Sequence, residues 1–199
     1  MPTLSAYNHY FQLFKNTLEF TPFQHQHGDK ATIDSFKQLM LQSDKTGQMF
    51  QLLLQYMPLV DEPEEKIAKL GKQGQSIVAQ LQTLFSSKLE ELQKQNLKRA
   101  LEAGINIAFG TDAGNPGTLH GVSIFGEAAL WQKAGISNQH ILKAMTYGNA
   151  IAFSVDGKLG TIQTGKQADF VVVEQNPYAT LYTLQKPHLV VKHGAIIGL

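Results

Sequence analysis

Leu101-Glu102-Ala103-Gly104-Ile105-Asn106-Ile107-Ala108-Phe109-Gly110-Thr111-Asp112-Ala113-Gly114 is the stretch on which the reading of this chain turns. A polar helix ends at Gly104, because a residue without Cβ closes a helix in the left-handed conformation at little cost. Ile105 to Gly110 then reads as a short apolar strand, and Asp112 stands at its end. A glycine-rich loop from Gly110 to Gly121 follows, then a helix around Phe125 to Ala134. Strand, loop and helix in that order is the grammar of an α/β fold.

Upstream, from about residue 5 to 101, the chain is rich in Gln, Leu and Lys and reads as helices with breaks. Leu39, Met40, Met49, Phe50, Leu52, Leu53, Leu54 and Met57 recur as apolar faces, and Pro58 and Pro63 interrupt them. Asp61-Glu62-Pro63-Glu64-Glu65 has the acidic residues of a helix start. The helix it opens is expected to carry Ile67, Leu70, Ile77, Leu81, Leu84, Phe85, Leu89 and Leu92 into a core.

Downstream, Ser137 opens a second helix with Ile141, Leu142, Ala144 and Met145 on its apolar side. Beyond about residue 155 the pattern becomes β. Gly160-Thr161-Ile162 and Phe170-Val171-Val172-Val173 flank a turn at Thr164-Gly165-Lys166. Leu189-Val190-Val191 follows a loop at Asn176-Pro177 and leads to a turn at His193-Gly194.

At 199 residues with 43% hydrophobic side chains the chain has ample material for a core. Its formal net charge of +1 provides no basic field for nucleic acid. The absence of cysteine excludes disulfides, thiolate metal sites and cysteine nucleophiles, and leaves localisation, cytoplasmic or periplasmic, open. No stretch approaches the roughly 18 apolar residues of a membrane span.

Residues 103–114 are similar to the eighth barrel strand of the amidohydrolase superfamily, especially its imidazolonepropionase-like and dipeptidase-like members. Ala134-Gly135-Ile136-Ser137 and Lys143-Ala144-Met145-Thr146-Tyr147-Gly148-Asn149-Ala150 resemble the following helix pair. Leu159-Gly160-Thr161-Ile162-Gln163-Thr164-Gly165-Lys166-Gln167-Ala168-Asp169-Phe170-Val171-Val172 resembles the C-terminal sandwich. The likeness covers residues 97–199, and Pro2-Thr3-Leu4 resembles the end of the seventh strand. It implies an α/β fold: a partial (β/α)8 TIM-type barrel over 1–154, with a helical insertion at about 5–101, and part of a β-sandwich over 155–199.

The resemblance further implies a hydrolase of carbon–nitrogen bonds that works with one or two divalent metal ions, Zn2+ first among the candidates. In the family the ligands are a His-x-His pair after the first strand, a carboxylated lysine or glutamate after the fourth, histidines after the fifth and sixth, and an aspartate after the eighth. Of these the aspartate alone maps here, onto Asp112, as metal ligand and proton carrier. Read without the resemblance, a Thr-Asp-Ala-Gly segment is a loop aspartate making Asx-turn hydrogen bonds.

Thr111 and His120 are candidates for contacts to substrate or to the groups around the metal, with a loop-stabilising role as the alternative for His120. His9, beside Tyr7, Tyr10 and Phe11, either lines the substrate pocket or belongs to an aromatic cluster packing a helix. His25-Gln26-His27 imitates His-x-His, yet no apolar strand precedes it, and an exposed loop is expected. His140, His188 and His193 are expected at the surface. Gly110 and Gly114 supply backbone freedom beside Asp112, and no Gly-x-x-x-x-Gly-Lys-Ser/Thr phosphate loop occurs.

Eight strands close a barrel, and about two are expected here. The chain is therefore expected to be the C-terminal portion of an amidohydrolase, inactive without a missing N-terminal segment or another chain that completes the barrel. Its substrate is expected to be a small amide, a cyclic imidazolone or an acyl dipeptide ending in proline. The alternative is a non-catalytic interaction module that binds through exposed edges, a homo-oligomer among the options, with no nucleic-acid or membrane partner.

Overall fold

Helices begin where the sequence supplies caps. In this computed structural model, which describes residues 1–39 and 45–198, α1 spans Leu4–Phe14 and α2 spans Pro22–His27. Thr21 accepts from the Gln24 N–H while the Gln24 side chain accepts from the Thr21 N–H, a reciprocal capping box with Pro22 in the first turn. Next come α3 (Lys30–Leu39), α4 (Lys45–Tyr56), α5 (Glu64–Ile67), α6 (Lys72–Leu84) and α7 (Ser87–Glu102). α8 (Ile124–Lys133), α9 (Asn138–Lys143) and α10 (Asn149–Ala152) complete the helices.

The chain divides into two compact units. One comprises residues 4–93 and 112–123, and the other comprises 1–3, 94–111 and 124–199. We call them the helical unit and the mixed unit. Among the described residues no helix is long and apolar enough to cross a membrane.

In the helical unit Phe11, Leu13 and Phe14 of α1 meet Phe50, Leu53 and Met57 from α4 and the turn after it, together with Val60 and Leu81. Burying a Leu, Met or Phe side chain contributes about 1.5–3 kcal/mol. The aromatic cluster expected around α1 is present: Phe85 stacks on Tyr7 and Tyr10, with centroids 5.6 and 5.4 Å away. Phe50, Leu53 and Met57 are buried as expected, whereas Met49 and Leu52 are exposed. The Leu39 and Met40 side chains lie outside the described residues.

The single helix expected after Pro63 is three. Gly71 separates α5 from α6, and extended Phe85 ends α6. Asp61 then holds the start of α7, accepting from the Ser87 N–H at 2.8 Å and the Ser87 Oγ at 2.8 Å. The Tyr7 hydroxyl accepts from the Ser86 N–H at 2.9 Å. These long-range bonds favour the break over a continuous run.

In the mixed unit α7 ends as expected, in a Schellman motif: the Gly104 N–H bonds Leu101 O, the Ile105 N–H bonds Ala100 O, and Gly104 has φ +73°. α8 repeats the device with Gly135 and Ile136. Ser137 caps α9 by accepting from the His140 N–H. α9 then widens through a π-helical stretch, Ala144–Gly148, before α10. Trp131 is fully buried on α8 and donates to the Glu127 carboxylate at 2.8 Å.

Three strands form an antiparallel sheet in the order β1 (Phe170–Val172), β2 (Leu189–Lys192), β3 (Ala195–Ile197). Phe170 pairs with Val191, and Val191 with Ile196. The β2–β3 hairpin turns at His193-Gly194, where φ is +52° and +77°, both signs that a type I′ turn requires. Lys166 and Asp169 of the sandwich motif tie its loops. The Lys166 ammonium donates to Asp156 O and Thr161 Oγ1, both at 2.6 Å. Asp169 accepts from the Lys192 ammonium and the His193 N–H, and the first of these bonds leads in holding its carboxyl at about 2.

Two expected strands are absent. Ile105–Gly110 carries no ladder, and Ile105 is 57% exposed. Gly160–Ile162 is irregular, with Ile162 85% exposed. A strand exists by pairing, and among the described residues neither segment has a backbone neighbour in ladder register. Pro2 and Thr3 likewise form no strand, and Leu4 opens α1.

Candidate functional site

The segment that precedes Asp112 is held by side chains instead of by a sheet. The Asn149 carboxamide oxygen accepts from the Phe109 N–H at 2.7 Å, and the Asn106 carboxamide donates to Gly148 O at 3.0 Å. A Cβ at Gly148 would come within 2.9 Å of Ile107 O, so only glycine lets the helix lie that close. Phe109 is buried, its ring 5.2 Å from that of Trp131. Neither asparagine was among the residues that the sequence singled out for a role; Asn149 lies in the Tyr147-Gly148-Asn149-Ala150 motif and Asn106 in the 103–114 stretch.

The unit boundary falls between Thr111 and Asp112, so Thr111 lies in the mixed unit and Asp112, His120 and His9 in the helical unit. Asp112 has φ +54°, a conformation that Asp tolerates better than most residues. Its carbonyl accepts from the Asn115 side chain at 3.0 Å. Its carboxylate is exposed and takes no hydrogen bond among the described residues, so the Asx-turn alternative does not describe it.

The loop that follows is tightly wound. The Thr118 N–H bonds Asn115 O at 2.9 Å across Pro116 and Gly117, whose φ of +82° fits the third position of a type II turn. The Gly114 N–H closes onto Thr118 O at 3.1 Å, and the Leu119 N–H donates to the buried Ser123 Oγ at 2.8 Å. His120 is exposed, with its Nε2 above Gly114.

His9 faces this loop and not the aromatic cluster. Its Nδ1 lies 3.2 Å from Thr118 Oγ1, and a Cβ at Gly117 would come within 2.9 Å of His9 Cβ. Burial disfavours the charged imidazolium and pushes the His9 pKa down to about 4. At neutral pH this side chain is an uncharged donor and acceptor beside the loop.

His25 and His27 sit on α2, not in a loop. Two residues apart on a helix point about 200° away from each other, so the pair does not converge. Both are exposed, as are His140, His188 and His193. Among the described residues no three His, Asp or Glu side chains are grouped to hold a metal ion. The described donors therefore do not by themselves fit a divalent metal.

The family profile named Amidohydrolase family matches residues 25–197. The chain belongs to this family. The amidohydrolase chain is 36% identical over 87 residues to an imidazolonepropionase of Syntrophobacter fumaroxidans, covering 42% of this chain and 20% of that protein. It is 30% identical over 110 residues to a 5-methylthioadenosine/S-adenosylhomocysteine deaminase of the same organism, covering 51% of this chain and 23% of the relative. Among solved structures it is similar to a Xaa-Pro dipeptidase with bound methionine in the active site, at 24% identity and TM-score 0.48, over 67% of this chain and 31% of that one. The chain spans about a fifth of the length of these curated relatives.

Proposed function

We propose that this chain forms the C-terminal part of a barrel hydrolase of carbon–nitrogen bonds, in which Asp112 is one carboxylate of a divalent-metal site. The other ligands are carried outside these 199 residues, on the same or another polypeptide. The observation that carries the reading is Asp112 itself. An exposed carboxylate with no hydrogen-bond partner among the described residues stands in a left-handed conformation, after the Ile105–Gly110 segment and ahead of a glycine-rich loop. In barrels of this kind that is where chemistry is placed.

Family membership supports hydrolysis, and metals of this family serve to activate water. On this chain's own residues, Asp112 accepts a proton from the attacking water and passes it to the leaving nitrogen as the C–N bond breaks. His120 and Thr111 contact the substrate or the groups around it. His9, neutral and bonded to Thr118, positions the loop. The relatives' names, imidazolonepropionase and deaminase, support small cyclic substrates, and acyl dipeptides ending in proline form a second class to assay.

The test is reconstitution. The chain is mixed with an N-terminal barrel portion of an amidohydrolase that carries His-x-His, and hydrolysis of an imidazolone and of Xaa-Pro dipeptides is followed. Activity that appears only in the mixture, and falls at least about a thousandfold with Asp112→Asn, is expected. Activity that survives Asp112→Asn contradicts the role of Asp112.

A second reading is an interaction module, favoured by apolar side chains left exposed on the sheet: Val171 at 50% and Ile196 at 70%. It predicts partner binding that Asp112→Asn leaves unchanged and no turnover in any mixture.

A further inference from the structure

The helical unit contains a cavity of about 440 Å³ that plays no part in the account of Asp112. Small-molecule sites have volumes of roughly 300–1,000 Å³. Local sequence shapes it. Asn16, at φ +56°, turns the chain away from α1, the Thr21 capping box starts α2, and α3 presents Ile33 and Phe36 one turn apart.

The floor is apolar. Leu13 and Ile33 are buried, and the half-buried rings of Phe20 and Phe36 stack at 6.0 Å with 21° between their planes. His25 stands edge-on to Phe20 at 6.0 Å. The rim is polar: Asn16, Glu19 and His25 are exposed. Among the described lining residues there is no lysine or arginine, so Glu19 is the lining's permanent charge at neutral pH.

An apolar floor with aromatic faces and a carboxylate at its lip selects by charge as well as by shape. An apolar body gains by leaving water, about 25 cal/mol per Å² covered. A cation attached to it meets both the Glu19 carboxylate and the negative faces of the phenylalanine rings. An anion of the same shape keeps the apolar gain but is repelled by the Glu19 carboxylate.

We propose that this cavity binds a small organic cation, a primary ammonium joined by a short chain to an aromatic or branched aliphatic group. Glu19 holds the ammonium, and Phe20, Phe36, Leu13 and Ile33 hold the apolar body. The site stands independently of the hydrolase reading, because none of its lining residues is assigned to Asp112 chemistry.

Calorimetric titration of the full chain with 2-phenylethylammonium, 2-phenylethanol and 3-phenylpropionate tests it. Saturable one-to-one binding of the ammonium is expected, about tenfold tighter than the alcohol, with no measurable binding of the carboxylate. Glu19→Gln, a change at an exposed rim residue, is expected to weaken the ammonium about tenfold and leave the alcohol unchanged. Phe20→Ala is expected to weaken both, and circular dichroism checks its folding; Glu19→Gln decides the matter if Phe20→Ala does not fold. Absence of saturable ammonium binding, equal affinity for ammonium and alcohol, or an unchanged preference in Glu19→Gln overturns the proposal.

Discussion

At the scale of single residues, Asp112 joins two demands that rarely coincide: a left-handed backbone and a free carboxylate. Asparagine tolerates that backbone as well as aspartate does, while alanine does not. Asp112→Asn should therefore melt within about 0.5 kcal/mol of the wild type, and Asp112→Ala about 1–2 kcal/mol lower, as thermal unfolding will report. Any activity lost in Asp112→Asn then reflects chemistry and not folding.

His9 yields a pH prediction. Its folded pKa, about 4, lies below the ordinary value of 6.5, so between those values the unfolded chain binds a proton that the folded chain refuses. Stability from His9 is complete above about pH 6.5, falls as pH drops toward 4, and changes no further below that. The loss amounts to at most about 3.5 kcal/mol. Carboxylates titrate nearby, so the difference between wild type and His9→Gln isolates the effect: the unfolding free energy of wild type minus that of the variant should be constant above about pH 6.5 and fall as pH drops toward 4. Parallel curves from pH 7 to 4 would contradict the assignment.

At the scale of elements, two glycines with similar φ should respond differently. A Cβ at Gly104 meets nothing within 4 Å, so Gly104→Ala costs only backbone strain, about 1 kcal/mol. At Gly117 the Cβ also runs into His9 Cβ and Leu18, and Gly117→Ala should cost about 2–3 kcal/mol or more. Asn149→Leu removes the partner of the Phe109 N–H and should cost about 1–3 kcal/mol, with faster hydrogen exchange at that amide.

The elements readable in advance were those written in local chemistry. Gly104, Ser137 and His193-Gly194 each mark a cap or turn through properties of one or two residues, and each is found in place. Ile105–Gly110 has the composition of a strand, but composition cannot supply a neighbour to pair with. The break at Phe85 depends on Asp61 and Tyr7, 24 and 78 residues away, so no window around it shows it. α2 is the opposite case: Thr21-Pro22-Phe23-Gln24 is a complete capping signal, obscured by the attraction of His25-Gln26-His27 as a ligand pair. Of the candidate site, Asp112 was visible through the family motif, whereas the Asn149–Phe109 bond and the His9–Thr118 contact arise only once the chain folds.

At the scale of the whole molecule, family membership and the described residues pull in different directions. The family profile spans most of the chain, yet among the described residues no three His, Asp or Glu side chains are grouped to hold a metal ion. Exposed Ile162, Val171 and Ile196 leave apolar surface uncovered in the mixed unit. A single carboxylate cannot match the three or four protein ligands that hold zinc tightly. The most direct test is the metal content of the purified 199-residue chain after equilibration with zinc and desalting, read by mass spectrometry. Well under about 0.1 zinc per chain is expected, whether residue 112 is Asp or Asn, because a lone carboxylate does not retain zinc through desalting. One zinc retained per wild-type chain, and lost in Asp112→Asn, would contradict it.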